Sequence, residues 1–189
     1  MNLKAERGAA TREQLVVIAT RLFAEHGYEG TSIEAVLKES GLSRGALYHH
    51  FAGKDALFEA VLEAAELDVA AKLARATAGM KDPALALRTG AKAWIRLAGD
   101  PVIRRILLID APSVLGWERW RAMEERHAFG QLKLGVQAMG VFPDDQVDLQ
   151  AHVLLAAINE LALLAARSES TADAEAAVEE FLTRQLRPR

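Results

Sequence analysis

Apolar residues recur along this chain at spacings of three and four, the period of a helix with one buried face, and helix-ending residues fall between the runs. Leu15, Ile18, Ala19, Leu22 and Phe23 form such a stripe, which predicts a first helix over residues 10–26 stopped by Gly27. A second begins at Thr31-Ser32, where a hydroxyl can cap free amides, and ends near Ser40-Gly41. Ser43 caps a third, very short helix running to about His50. Lys54 or Asp55 opens a long fourth, with Leu57, Phe58, Val61, Leu62 and Leu67 along one side.

Further on, Asp82-Pro83 and Asp100-Pro101 each read as an N-cap with proline at the first helical position. Asp110-Ala111-Pro112 predicts a break, since the residue before proline is pushed from the helical region. Gly140 and Pro143 separate a helix starting near Gly116 from one starting near Asp144. Ser170-x-x-Asp173 resembles a capping box that opens a last helix, closed by Pro188. Period-2 alternation and Asn-Gly or Asp-Gly turns are missing from the sequence. The expectation is an all-α chain of about nine helices. A small N-terminal helix-turn-helix unit (residues 1–53) would precede a larger helical unit (residues 54–189).

Composition narrows the chemistry. Half of the 189 residues are apolar, enough for a sizeable core, and the absence of cysteine excludes disulfides, thiolate nucleophiles and cysteine-held metals. No His-Glu-x-x-His, Gly-rich phosphate loop or Gly-x-Ser-x-Gly occurs, so no catalytic residue, metal or cofactor is expected. His49-His50 does not alter this, because adjacent helical residues do not face one another. Met1 to Arg7 lacks an apolar stretch behind its charges, and Val153 to Ala166 is interrupted by Asn159 and Glu160. The first is not a signal peptide pattern, and the second reads as too short and polar for a bilayer. The reading is therefore cytoplasmic, with no membrane partner. Net charge is −3, but residues 1–54 carry seven Lys/Arg against six Asp/Glu and three of the five histidines. A DNA reader needs only a local basic surface, since phosphate attraction decays within a Debye length.

The informative stretch runs from Thr31 to Lys54. Two helices joined at Gly41 make a helix-turn-helix, with Leu42 filling the angle between them. Val36, Leu37, Leu47 and Phe51 complete a small core against the first helix. Thr31 and Ser32 offer hydroxyls and amides for a phosphate. Arg44 starts the third helix, after Ser43, where its fork can match guanine O6/N7. Gly45 and Ala46 allow close approach, while Tyr48, His49 and Lys54 can reach flanking phosphates. Sequence information would rest on Arg44, with Tyr48 second.

On these residues the chain resembles the TetR/AcrR family of transcriptional regulators: Thr31, Gly41, Ser43-Arg44-Gly45-Ala46-Leu47-Tyr48-His49-His50-Phe51 and Lys54 follow its DNA-binding signature. The likeness covers about residues 10–60; Leu37 departs from it, where the family commonly has alanine. The resemblance implies a three-helix reader, a linking fourth helix and an effector-binding bundle. It also implies a homodimer formed by the last two long helices on a palindromic double-stranded operator. Independently, Val153–Ile158 and Leu161–Ala166 make a helix apolar on nearly every side, which must be covered all round. Leu154, Ile158, Leu161, Ala165, Val178, Phe181 and Leu182 are the expected dimer residues.

Trp94, Trp117 and Trp120 all fall in the larger unit. Trp117 and Trp120 share a helix face that Met123 and His127 continue. These residues, with Leu107, line either a small-molecule pocket with His127 as polar handle, or plain core. Asp110 either anchors a cationic ligand or caps the helix entered through Pro112. Asn159 and Glu160 either set dimer register or face water. The charges from Glu118 to Arg126 read as a solvated helix face. The expected function is a repressor released from its operator by a small-molecule effector. The alternatives are a regulator of the same kind without a ligand, or a helical carrier or enzyme.

Overall fold

The computed structural model describes residues 3–168 and 170–186. They fold into α1 (Leu3–Gly30), α2 (Ile33–Ser40), α3 (Arg44–His50), α4 (Lys54–Ala76), α5 (Pro83–Ala98) and α6 (Pro101–Ile103). A π-helical turn (Arg104–Asp110) then leads into α7 (Ala111–Leu115), α8 (Trp117–Arg126) and α9 (Ala128–Met139). A 3-10 turn (Asp144–Gln146), α10 (Val147–Ala165) and α11 (Ala172–Gln185) complete an all-α fold, with no strand among the described residues.

The predicted caps form. Asp82 accepts from the Ala84 amide at 2.9 Å and Asp100 from the Val102 amide at 2.8 Å, each with proline in the first turn. One apolar core joins the two halves of the chain. Phe23, Tyr28 and Phe58 pack as an aromatic trio, with ring centroids 5.1 to 5.9 Å apart. Leu62 and Val69 carry the contact along α4 towards Ile95, Ile106 and Phe129. Thus α4, whose first turn ends the reader, is also a wall of the larger bundle.

Five expectations are corrected. Helix α1 starts earlier than predicted and resumes for one turn beyond Gly27, whose φ of +73° still breaks it. A Cβ at Gly27 would also fall 2.0 Å from Arg105 Nη2, which would have to swing aside, but it is the backbone conformation that requires glycine. Asp110-Ala111-Pro112 does not end a helix. Ala111 stays helical, and its N–H reaches back to the Ile106 carbonyl in the wider π turn. That widening accommodates the proline ring, which would clash with an ordinary helical turn. The helix expected from Gly116 is two, α8 and α9, broken at His127 (φ −123°, ψ −116°). The Ser170 hydroxyl accepts from the Ala172 amide, one residue short of a capping box, while Pro188 lies outside the described residues. Leu67 faces solvent, and Glu66 takes the inward position.

Helix α10 also departs from the expectation of a segment too short and polar for a bilayer. With its preceding 3-10 turn, α10 spans Asp144–Ala165, 22 residues whose most apolar 18-residue window has a mean hydropathy of 1.4, long and apolar enough to cross a bilayer by length and composition. In this fold its inner face packs on α5, α9 and α11, burying Ala151, Leu154, Ile158, Ala162 and Ala165. Its outer face is left exposed: Leu149 (64%), Val153 (51%), Ala156 and Leu164.

Candidate nucleic-acid interface and effector cavity

Helix α2 is started by Ser32, whose Oγ accepts from the Ala35 amide at 3.1 Å. It ends at Gly41 (φ +67°), whose N–H closes on the Leu37 carbonyl at 3.1 Å. Gln14 of α1 donates to the Ser40 carbonyl at 3.2 Å, pinning the turn. Ser43 caps α3 by accepting from the Ala46 amide at 3.2 Å. Val36, Leu47 and Phe51 face inward onto Leu15, Ala19 and Leu22, so α3 has one fixed underside. Its other side presents Arg44, Gly45, Tyr48 and His49 to solvent.

Arg44 is ion-paired with Glu34 across the turn, both largely exposed. Such a pair is worth only about 0–1 kcal/mol, so the guanidinium can exchange it for another acceptor. Lys54 places its ammonium 4.1 Å from the Tyr28 ring centroid, bracing α4 against α1, while the Tyr28 hydroxyl bonds Asp55. Burial, then that hydrogen bond, hold the Tyr28 phenol above its ordinary range. Arg12 of α1 lies 5.2 Å over the Phe51 ring, adding a cation beside the end of α3 that sequence reasoning missed.

The larger unit forms a partly open cavity of about 400 Å³ between α4, α5, α8, α9 and α10, with Leu107 of the π turn in its wall. The lining is mostly apolar. Trp94 donates through Nε1 to Asn159 Oδ1 at 2.8 Å. Two carboxyls line the same space. Glu124 accepts from Arg121 at 2.6 Å, and burial raises its pKa to about 7 against the lowering pull of Arg121. Glu66 is 2% exposed and has no hydrogen-bond or ion-pair partner among the described residues. Burial, then the neighbouring Glu124 and Glu63, push it up to about 8.

Residues 15–61 match the family model of bacterial regulatory proteins of the tetR family. Residues 84–188, more than half the chain, match the tetracyclin repressor-like C-terminal domain. The chain belongs to the TetR family. Among curated TetR-type relatives, the HTH-type transcriptional repressor AcnR of Corynebacterium efficiens is 45% identical over 51 residues, 27% of each chain. The A-factor receptor protein of Streptomyces griseus is 27% identical over 185 residues, 94% of this chain and 63% of that one. The chain thus spans less than two thirds of the length of these relatives. A TetR-family regulator structure from Pectobacterium atrosepticum superposes over all of both chains, with 29% identity and a TM-score of 0.75. Proteins of this family are transcriptional regulators, not enzymes.

On this TetR fold the predicted residues divide. Ser32, Ser43, Arg44, Gly45, Tyr48 and His49 are each exposed, at the start of α2 and along α3. Thr31 does not: it is buried, its hydroxyl 2.8 Å from the Gly27 carbonyl and 3.0 Å from that of Leu22, tying α2 to α1. Trp94 and Leu107 line the cavity. Trp117 is 62% exposed, and Trp120 and Met123 are buried outside the cavity wall. Arg121 lies over both the Trp117 and Trp120 rings, at 4.4 and 4.6 Å. His127 sits in the break between α8 and α9, 2.8 Å from Glu63, away from the cavity. Asp110 lies outside this cavity, beside a second one with Tyr28, Arg105 and Ser113, and its side chain caps no helix. Its carboxylate accepts from the Tyr28 amide at 2.9 Å and pairs with Arg105 at 3.0 Å. Leu154, Ile158, Ala165, Val178 and Leu182 are buried inside the chain's own bundle, and Leu161 and Phe181 are half-buried. Glu160 faces solvent and Asn159 the cavity.

The acidic cavity residues were missed. Glu66 stands in the inward series Leu62, Glu66, Val69, Leu73, and its place in that period was the available signal. Glu124 was assigned to a solvated face, but Trp120 and Met123 turn that side of α8 inward.

Proposed function

We propose that this chain is a dimeric DNA-binding transcriptional repressor, acting in the cytoplasm, whose operator affinity falls when a small molecule occupies the cavity. The observation that carries the DNA reading is α3 itself: capped by Ser43, clamped beneath by Leu47 and Phe51, and bare on the side bearing Arg44, Gly45, Tyr48 and His49. A rigid short helix with an arginine in its first turn suits a major groove, with Arg44 reading a guanine edge. Ser32, Tyr48, His49 and Lys54 would hold phosphates.

A dimer would bring two readers to half-sites ~34–36 Å apart. Its interface is best sought on the exposed stripe of α10, Leu149, Val153, Ala156 and Leu164, flanked by the outer side of α11.

A mostly apolar cavity of about 400 Å³ favours a ligand-responsive protein over a ligand-free one. The route to the reader is short. Leu107 lines the cavity, and three residues on, in the same π turn, Asp110 holds the Tyr28 amide. Tyr28 packs on Phe58 and touches Lys54 and Asp55 at the start of α4. A ligand that favours one position of the π turn and α4 would bias the separation of the two readers by its differential affinity for the two dimer geometries.

The test is fluorescence anisotropy with duplex from the chain's own upstream region, over a salt series. Binding should weaken steeply as salt rises, and Arg44→Ala should lose discrimination against unrelated duplex. Equal binding of both duplexes by the unaltered protein refutes the reading.

A further inference from the structure

The cavity has a chemical asymmetry. Its walls are apolar from Leu73, Leu87 and Leu132 to Ile158, and the other polar side chains of its inner part each have one protein partner. The Asn159 oxygen is held by Trp94, Glu124 by Arg121, and the Gln131 amide reaches the Ala70 carbonyl at 3.4 Å. Glu66 alone is buried there without a protein partner among the described residues. A carboxyl kept in such a place costs free energy in every state unless something pairs with it. The charged groups around it do not supply a cation. Glu63 lies on its own helix and is taken up by Arg126 and His127; from α8 come Glu124 and Arg121, whose guanidinium pairs with Glu124 and lies over two indole rings, its Nε buried without a partner among the described residues and making no ion pair with Glu66. Lys81 also lines the space, but is exposed and lies beyond Thr77, at the other end of α4.

Glu66 and Thr77 both border the cavity. At ~1.5 Å rise per residue they are roughly 16 Å apart along α4, so the space is long and its free carboxyl lies at one end. We infer that the cavity takes an elongated apolar molecule ending in one protonated amine, whose N–H groups bond the Glu66 carboxylate while its body lies between α5 and α9. Binding moves the Glu66 proton to solvent and leaves a desolvated ion pair of the kind Arg121 already makes with Glu124. The assignment deepens the effector reading above and rests on it for regulatory meaning, but not for the binding itself.

Three probes with one tail and different heads test it: decylamine, decanol and decanoate, each titrated calorimetrically below its micelle concentration at neutral pH. A charge-assisted hydrogen bond in a buried site corresponds to roughly tenfold to a hundredfold in affinity. Decylamine should bind at least tenfold more tightly than decanol, with decanoate weakest. Glu66→Gln should erase the gap between amine and alcohol while keeping decanol affinity, which also reports an intact cavity. If that variant fails to fold, the order of the three heads on the unaltered protein decides alone. Decanol or decanoate binding as tightly as the amine, a gap that persists in Glu66→Gln, or no amine binding overturns the assignment. A protein that selects the amine yet never binds its upstream DNA overturns the regulator reading and leaves the site standing. A DNA-binding protein indifferent to the head group does the reverse.

Discussion

Replacing Glu66 by glutamine keeps the shape of the side chain and removes its titration. The buried carboxyl has its pKa raised from an ordinary 4.5 to about 8, chiefly by burial. Below pH 4.5 the group is neutral in both folded and unfolded chains and adds no pH dependence. Above that, the unfolded chain releases the proton and the folded one keeps it, so stability falls as pH rises, until the folded form also ionises near pH 8. At ~1.36 kcal/mol per unit, the loss over this window approaches roughly 4–5 kcal/mol as an upper limit. Water entering the cavity lowers it, and about 2 kcal/mol is the smallest loss compatible with so buried a group. The assay is urea unfolding of both proteins at pH 5.5, 7 and 9, at one protein concentration because a dimer's stability depends on it. Glu66→Gln should gain on the parent by at least about 2 kcal/mol between pH 5.5 and 9. Parallel curves for the two proteins would refute the reasoning.

Two further predictions concern the links between parts. Asp110→Asn removes the pairing with Arg105 and weakens the acceptor for the Tyr28 amide, at a cost of about 1–3 kcal/mol in unfolding free energy. In the same variant, decylamine affinity should persist while its effect on DNA binding shrinks; an unchanged effect would show that this contact does not carry the coupling. Val153→Glu places a charge on the exposed stripe of α10 and should yield monomers by light scattering at concentrations where the parent is a dimer. A variant that stays dimeric would move the interface elsewhere.

The reader was legible in the sequence because its determinants are local. Ser32, Gly41 and Ser43 act within one turn of themselves, and the period of Leu15 to Phe23 states which side is covered. What was not legible depended on how elements meet. Thr31 carries the right hydroxyl for a phosphate, but its neighbours in space are the carbonyls of Leu22 and Gly27. Trp117 and Trp120 share a face in sequence and Arg121 lies over both rings, yet only Trp120 is covered. Apolar residues on α10 point both inward and outward, so composition could not say which meet a second chain. Leu154 and Ile158, expected to meet a second chain, lie on the inward side, and Leu149, Val153 and Leu164 on the outward one. Glu66 was legible by period but was passed over, because an acidic residue at a core position has no explanation until the cavity beside it is seen.

The proposed regulator depends on the outer side of α3 reading base edges in pairs. Its most direct test is selection of bound duplexes from a random-sequence pool by the purified protein. The unaltered chain should enrich a twofold-symmetric motif with half-sites one helical turn apart, and Arg44→Ala should lose a base preference within each half-site. Enrichment of no motif, or of the same motif at the same strength by Arg44→Ala, would contradict it.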